Sequence, residues 1–192
     1  MTIGPDDALF VVDAQNDFAP GGALPVSDAQ VIVPPINDLA PFFETLVFSR
    51  DWHPSDHCSF AVDPDFVDGS WPPHCVQDTP GAEFLGDLHV PLDAIVVSKG
   101  TNPDKEAYSG FDDSDLADTL RDRGVQRVFV CGLATDYCVK ATALDAKKLG
   151  LDVVVLLDAC RGIDSPRGSV AETLDEFRQA SIALSHSEAI LR

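Results

Sequence analysis

Basic residues are scarce in this sequence. Thirteen Lys plus Arg stand against thirty-two Asp plus Glu, a formal net charge of -19 over 192 residues. The acids are spread along the whole chain, so polyanions and anionic membrane surfaces are repelled over roughly a Debye length of ~10 Å. Nucleic acid and membranes are therefore excluded as expected partners. The same charge favours solubility and suits a high-salt medium, where screening relieves self-repulsion. No run approaches the ~20 consecutive apolar residues of a membrane helix. Residues 1–7 lack a basic segment followed by an apolar stretch, so a cytoplasmic location is expected. Cys-x-x-Cys pairs are absent too: Cys58, Cys75, Cys131, Cys138 and Cys160 are odd in number and widely spaced, which excludes a disulfide framework and a zinc knuckle. There is no internal repeat, low-complexity tract or linker composition, and a single domain spanning residues 1–192 is expected.

What is present is an alternation of short β-branched runs with amphipathic segments. Strands are expected at Ala8–Val12, Leu46–Phe48, Ala94–Val97, Val125–Val130 and Leu151–Leu157, with a sixth at Ala180–Leu184. Helices are expected at Ser27–Phe43, Ser114–Arg123, Thr135–Leu149 and Pro166–Gln179, with Ser114, Thr135 and Ser165 as N-caps and Gly124 and Gly150 as stops. Near-continuous apolar strands separated by helices imply an α/β fold whose parallel sheet is covered on both faces. The exception is Asp51 to Pro91, rich in Pro, Asp, His and aromatics and without a sustained period. Loops of that length inside a domain are usually functional.

In such a sheet, ligands bind beyond the carboxyl ends of the strands. Four polar positions are expected there: Asp13, Asp51, Lys99, and Cys138 within Gly132-Leu133-Ala134-Thr135-Asp136-Tyr137-Cys138. A thiol in the first turn of a helix is favoured as thiolate by free backbone N–H groups and the helix dipole. A carboxylate at a neighbouring strand end can accept its proton, and a lysine beside both balances the charge. The plainer alternatives are an inert core cysteine, a turn-capping Asp13 and a surface ion pair for Lys99.

A second cluster is Asp51-Trp52-His53-Pro54-Ser55-Asp56-His57, followed by Trp71-Pro72-Pro73-His74-Cys75. One carboxylate and three imidazoles suit a divalent transition metal better than calcium or magnesium, which take oxygen ligands. His89 has no patterned neighbours and reads as structural.

Taken in order, Val11-Val12-Asp13-Ala14-Gln15-Asn16-Asp17-Phe18, Gly21-Gly22-Ala23-Leu24, Arg50 through His57, Trp71-Pro72-Pro73-His74-Cys75, Ser98-Lys99-Gly100, Tyr108-Ser109-Gly110-Phe111 and Gly132 through Val139 resemble the nicotinamidases, amidases of the cysteine-hydrolase group that also contains isochorismatase. The resemblance covers nearly the whole chain. It implies a three-layer α/β/α architecture around a central, mostly parallel six-stranded sheet. It implies hydrolysis of nicotinamide, and of pyrazinamide, to the acid and ammonia within NAD salvage. It also implies a catalytic triad of Asp13, Lys99 and Cys138, an oxyanion site at the N–H groups of Ala134 and Cys138, and a cis bond between Leu133 and Ala134. Phe18, Leu24, Trp71, Tyr108, Leu133 and Ala134 are implied to bind substrate, and Asp51, His53, His57 and His74 to hold one divalent ion, with zinc, iron and manganese all fitting. Position 137 is Tyr where some members carry His. Self-association into a homo-oligomer is compatible with the sequence and not specified by it.

Three other readings draw on the same residues. A different cysteine amidohydrolase of the group would share Asp13, Lys99 and Cys138 without needing the imidazoles. A hydrolase using metal-activated water would make Cys138 structural. A metal-storage or thiol-sensing protein would use the same ligands but has no use for a Lys and an Asp aimed at the thiol.

Overall fold

A computed structural model of the chain describes residues 2–66 and 69–191. The apolar runs form six strands: β1 (Asp7–Val12), β2 (Thr45–Asp51), β3 (Ile95–Lys99), β4 (Arg127–Leu133), β5 (Asp152–Arg161) and β6 (Ala183–Ser185). They make one sheet in the order β3-β2-β1-β4-β5-β6. Every neighbouring pair is parallel, so the sheet is wholly rather than mostly parallel. Helices α1 (Val33–Leu39), α2 (Leu116–Asp122), α3 (Lys140–Lys148), α4 (Ser169–Gln179) and α5 (Ser187–Ile190) flank it. Side chains on successive strand residues point to opposite faces. Ala8 through Val12 in β1 are all fully buried, so both faces of the sheet are covered. Phe129 of β4 meets Phe43 edge to face, with ring centroids 5.2 Å apart.

Several expected boundaries are corrected. The helix expected over Ser27–Phe43 is divided into a 3₁₀ turn at Ala29–Ile32, the short α1, and a second 3₁₀ turn at Ala40–Phe42. Pro34 and Pro35 have no N–H with which to close α-helical bonds to the preceding turn, so they start α1 instead of lying inside it, and Pro41 follows its end. None of the three expected N-caps holds: Asp115, Val139 and Gly168 precede α2, α3 and α4. Residues Thr135–Val139 form a π-helical turn, closed by Val139 N–H donating to the Ala134 carbonyl at 3.1 Å. Cys138 therefore sits in a widened turn ahead of α3. Helix ends at Gly124 and Gly150 hold as expected. The sixth strand is displaced to 183–185, and β5 runs on to Arg161, past an irregular pairing with β4 between Val130 and Gly132.

Parallel pairing brings all the strand carboxyl ends to one edge. Asp51 and Lys99 are register partners across β2 and β3 and so lie side by side there. Asp13 follows β1 directly, and its backbone N–H donates to Ser49 of β2 at 3.1 Å. Two glycines make this edge possible. A Cβ at Gly132 would lie 2.0 Å from the Val12 carbonyl oxygen, and one at Gly100 only 2.3 Å from Cε1 of His53.

Candidate active site

The amino group of Lys99 is the hub. The residue is 1% exposed, and its Nζ lies 2.9 Å from Asp13 Oδ2, 2.5 Å from Asp51 Oδ1, 3.3 Å from Cys138 Sγ and 3.2 Å from the Ala107 carbonyl. A buried ammonium is tolerable only when opposite charge compensates it, and two buried carboxylates do so. Burial alone would lower the Lys99 pKa, but Asp13, Asp51 and the thiol hold it well above its ordinary value. The surface ion pair is thus ruled out for Lys99. Asp13 Oδ1 accepts from Ser49 Oγ at 2.7 Å. Its Oδ2 faces Lys99 off the hydrogen-bond axis and has no aligned donor among the described residues. That oxygen has acceptor capacity to spare beside the sulfur, and Asp13, Asp51 and Cys138 each bring one polar atom within 4.8 Å of the others.

Burial pushes the Cys138 thiol well above its usual range, against the lowering pull of Lys99 and with Asp13 and Asp51 adding to the rise. This environment favours the thiol over the thiolate, so attack by the sulfur calls for a base. Burial also raises the Asp13 carboxyl, with Lys99 opposing and Asp51 reinforcing, which makes it a stronger base than an ordinary carboxylate. Asp51 goes the other way: burial alone would raise it, but Lys99 and His53 hold it well below the ordinary carboxylate range.

The second oxygen of Asp51 faces the imidazoles, 3.8 Å from Nε2 of His53 and 3.8 Å from Nε2 of His74. His53 Nδ1 meets the Gly100 carbonyl at 3.0 Å, and His74 Nδ1 meets the Pro72 carbonyl at 2.8 Å. A carbonyl only accepts, so each Nδ1 carries a proton, and in the neutral ring each Nε2 turns a lone pair inward. Three inward donors of nitrogen and oxygen type, oriented from behind by backbone, fit a divalent transition ion. His57 differs. Its ring centroid lies 4.2 Å from that of His53, the planes tilted by 42°, but its Nδ1 accepts from the Ser59 N–H at 3.3 Å, and its Nε2 points to the Lys105 carbonyl at 3.2 Å. The structure brings Asp51, His53 and His74 together, with His57 at their flank. Gln15 fixes Asp51 from below, its Oε1 accepting from the Asp51 N–H and its Nε2 donating to the Asp51 carbonyl, both at 2.8 Å.

Between sulfur and imidazoles lies a small cavity. Phe18, Leu24, Trp71, Tyr108 and Ala134 line it as expected. Trp71 is fixed by its Nε1 donating to the Tyr108 hydroxyl at 3.0 Å. Leu133 is not among the lining side chains; as the last residue of β4 it is buried in the core. The Leu133–Ala134 bond is cis. Sequence reasoning missed Glu106, Ala107 and Ile163 in the wall, and it singled out Tyr137, which also lines the cavity, without giving it a binding role. Tyr137 carried a signal, since it adjoins the thiol; Ile163, in the connection after β5, carried none. His89 is exposed, with its backbone N–H bonded to Asn37. A larger, more open groove at the amino ends of β4 and β5 holds no such cluster.

The Isochorismatase domain profile matches residues 7–188. The chain belongs to the isochorismatase family. Within that family it is 39% identical over 202 residues to a protein of Acinetobacter baylyi described as a nicotinamidase, covering 96% of this chain and 94% of the relative. A Pyrococcus horikoshii pyrazinamidase solved in complex with zinc is 48% identical, with a TM-score of 0.85 over 95% of this chain and 99% of the other. PnC1 from L. infantum, solved in complex with nicotinate, is 37% identical, with a TM-score of 0.89 over 99% of this chain and 98% of the other.

Proposed function

We propose that this chain is an amidohydrolase that cleaves nicotinamide, and pyrazinamide with it, to the carboxylic acid and ammonia, within one domain covering residues 1–192. The observation that carries the reading is Lys99 within 3.3 Å of Asp13, Asp51 and Cys138 at once, the last two of which line an aromatic-walled cavity that ends on two inward-facing imidazoles. Relatives described as nicotinamidases and a neighbour bound to nicotinate support it. A cysteine amidohydrolase without metal would have no use for the His53 and His74 orientation.

In this reading Asp13 takes the Cys138 proton as the sulfur attacks the carboxamide carbon. The N–H groups of Ala134 and Cys138 receive the developing oxyanion, each such donor contributing about 2.7–4 kcal/mol. Collapse breaks the C–N bond, and Asp13 returns the proton to the leaving nitrogen, which departs as ammonia. Water then attacks the thioester with its proton passing to Asp13, and the thiolate leaves and recovers that proton. Lys99 holds the carboxylates in place and offsets charge near the sulfur. A divalent ion, for which zinc, iron and manganese are all candidates, would be held by Asp51, His53 and His74, with His57 the fourth candidate, and would anchor the ring nitrogen as a Lewis acid. The flat ring would lie between Phe18 and Trp71 with its amide over the sulfur. The partner is a small molecule, and we assign the reaction to NAD salvage in the cytoplasm. Among the described residues no helix is long and apolar enough to cross a membrane.

The test is ammonia release from nicotinamide by the purified protein, with elemental analysis of the same sample. Stripping the metal with a chelator is expected to abolish most turnover and to lower Tm, because a ligand bound only by the folded state stabilises it. No release from nicotinamide or any other aromatic amide would overturn the reading. A second expectation concerns pH. Asp13 must be ionised to accept the proton, and its carboxyl lies above the ordinary value of 3.8. Activity is therefore full above that raised value and lost as pH falls through it, so the acid limb of kcat/KM belongs above 3.8. A limb at or below the ordinary carboxylate value would remove Asp13 as the titrating base.

A further inference from the structure

The connection from β5 to α4, residues 162–168, contributes to the cavity although no reacting group lies on it. Ile163 lines the cavity beside Tyr137 and Cys138. The connection is tied to the turn that carries the sulfur by two side chains of that turn. The buried Asp136 carboxylate accepts from Ile163 N–H at 3.0 Å, from Asp164 N–H at 2.8 Å and from Ser169 Oγ at 2.5 Å. Tyr137 donates its hydroxyl to the Ser165 carbonyl. Its ring stands edge to face against Trp71, with centroids 4.8 Å apart.

Along the sheet order, the imidazole cluster belongs to the β2 and β3 end, the base to β1, the sulfur to β4 and Ile163 to β5. A ring whose polar edge faces Asp51, His53 and His74, and whose amide lies over the sulfur, turns its remaining edge toward Ile163. We infer that Ile163, held on the nucleophile turn by Asp136, is a specificity-determining residue that sets which ring substituents this enzyme accepts. The inference rests on the amidase reading above and deepens it. A backbone pinned by a buried, three-fold-bonded carboxylate cannot yield to an extra methyl group, so the limit comes from the Ile163 side chain. Asp136 acts only through it, as a positioning residue.

The experiment compares wild type, Ile163→Val and Ile163→Ala on nicotinamide and on nicotinamides carrying one methyl at each free ring carbon. A single methylene of room is worth roughly 10–200-fold in selectivity. The expected result is that kcat/KM for at least one methylated amide, relative to nicotinamide, rises about tenfold or more in Ile163→Ala and less in Ile163→Val, chiefly through KM. Asp136→Ala, which frees the connection but leaves Ile163 in place, is expected to relax selectivity in the same direction. Affinity for nicotinate and its methylated forms, read from quenching of tryptophan fluorescence, gives the same ratio without turnover. Wild type that releases no ammonia but binds the acids with the expected shift in Ile163→Ala would sink the amidase reading and leave the wall assignment standing. Ratios within twofold of wild type in both Ile163 variants, by turnover and by binding, would overturn the inference.

Discussion

Cys138→Ala is expected to cut ammonia release from nicotinamide by ~10⁴-fold or more, since loss of a nucleophile costs nearly the whole of covalent catalysis. The fold should survive. Removing one buried sulfur costs about 1 kcal/mol on ordinary mutational scales, and Lys99 keeps Asp13, Asp51 and the Ala107 carbonyl. Neither His53 nor His74 bonds to the thiol; their Nδ1 atoms bond backbone carbonyls, so metal uptake should match wild type. Ammonia assay, thermal melt and metal content on one preparation check all three. Retained turnover in a folded, metal-loaded variant would assign the chemistry to activated water and make the thiol structural.

Lys99→Met is expected to be the most destabilising single change at the site. The pair of buried carboxylates it leaves is uncompensated, and breaking a buried ion pair by removing one partner costs about 3–5 kcal/mol. For a chain of this size that corresponds to a fall in Tm on the order of 10 °C. The pH dependence identifies the cause. In wild type the Asp51 carboxyl is depressed. Its stabilisation is therefore present above the unfolded carboxylate value and declines as pH falls through the folded one. In Lys99→Met both carboxylates lose their counter-charge and burial raises them, so the deficit is full near neutrality and narrows as acid neutralises them. Melts of metal-stripped protein at neutral and acid pH should converge. A deficit independent of pH would point to lost packing by the lysine stem instead.

Much of this was legible in the sequence because buried parallel strands read as unbroken apolar runs, and the residues just after them must share one edge. Asp13, Asp51, Lys99 and Cys138 are set by that rule together with the strand order. Other features depend on contacts between segments distant in sequence. Pro34 and Pro35 could start a helix or break one, and only the packed chain decides. A π turn at Thr135–Val139 has the same composition as an α turn. The outward set of His57 depends on Ser59 and Lys105, two loops that meet only when folded. Ile163 is an ordinary apolar residue until Asp136 draws its backbone to the thiol.

Asp51 serves two masters with separate atoms: Oδ1 holds the ammonium and Oδ2 faces the imidazoles. This makes divergence at the position one-directional. A descendant could discard His53 and His74 and still require the aspartate to neutralise Lys99. One that lost the aspartate first would forfeit both neighbours at a stroke: an amide in its place could accept from Lys99 but brings no charge to balance the ammonium, and it would turn an N–H instead of a lone pair toward any ion the imidazoles held.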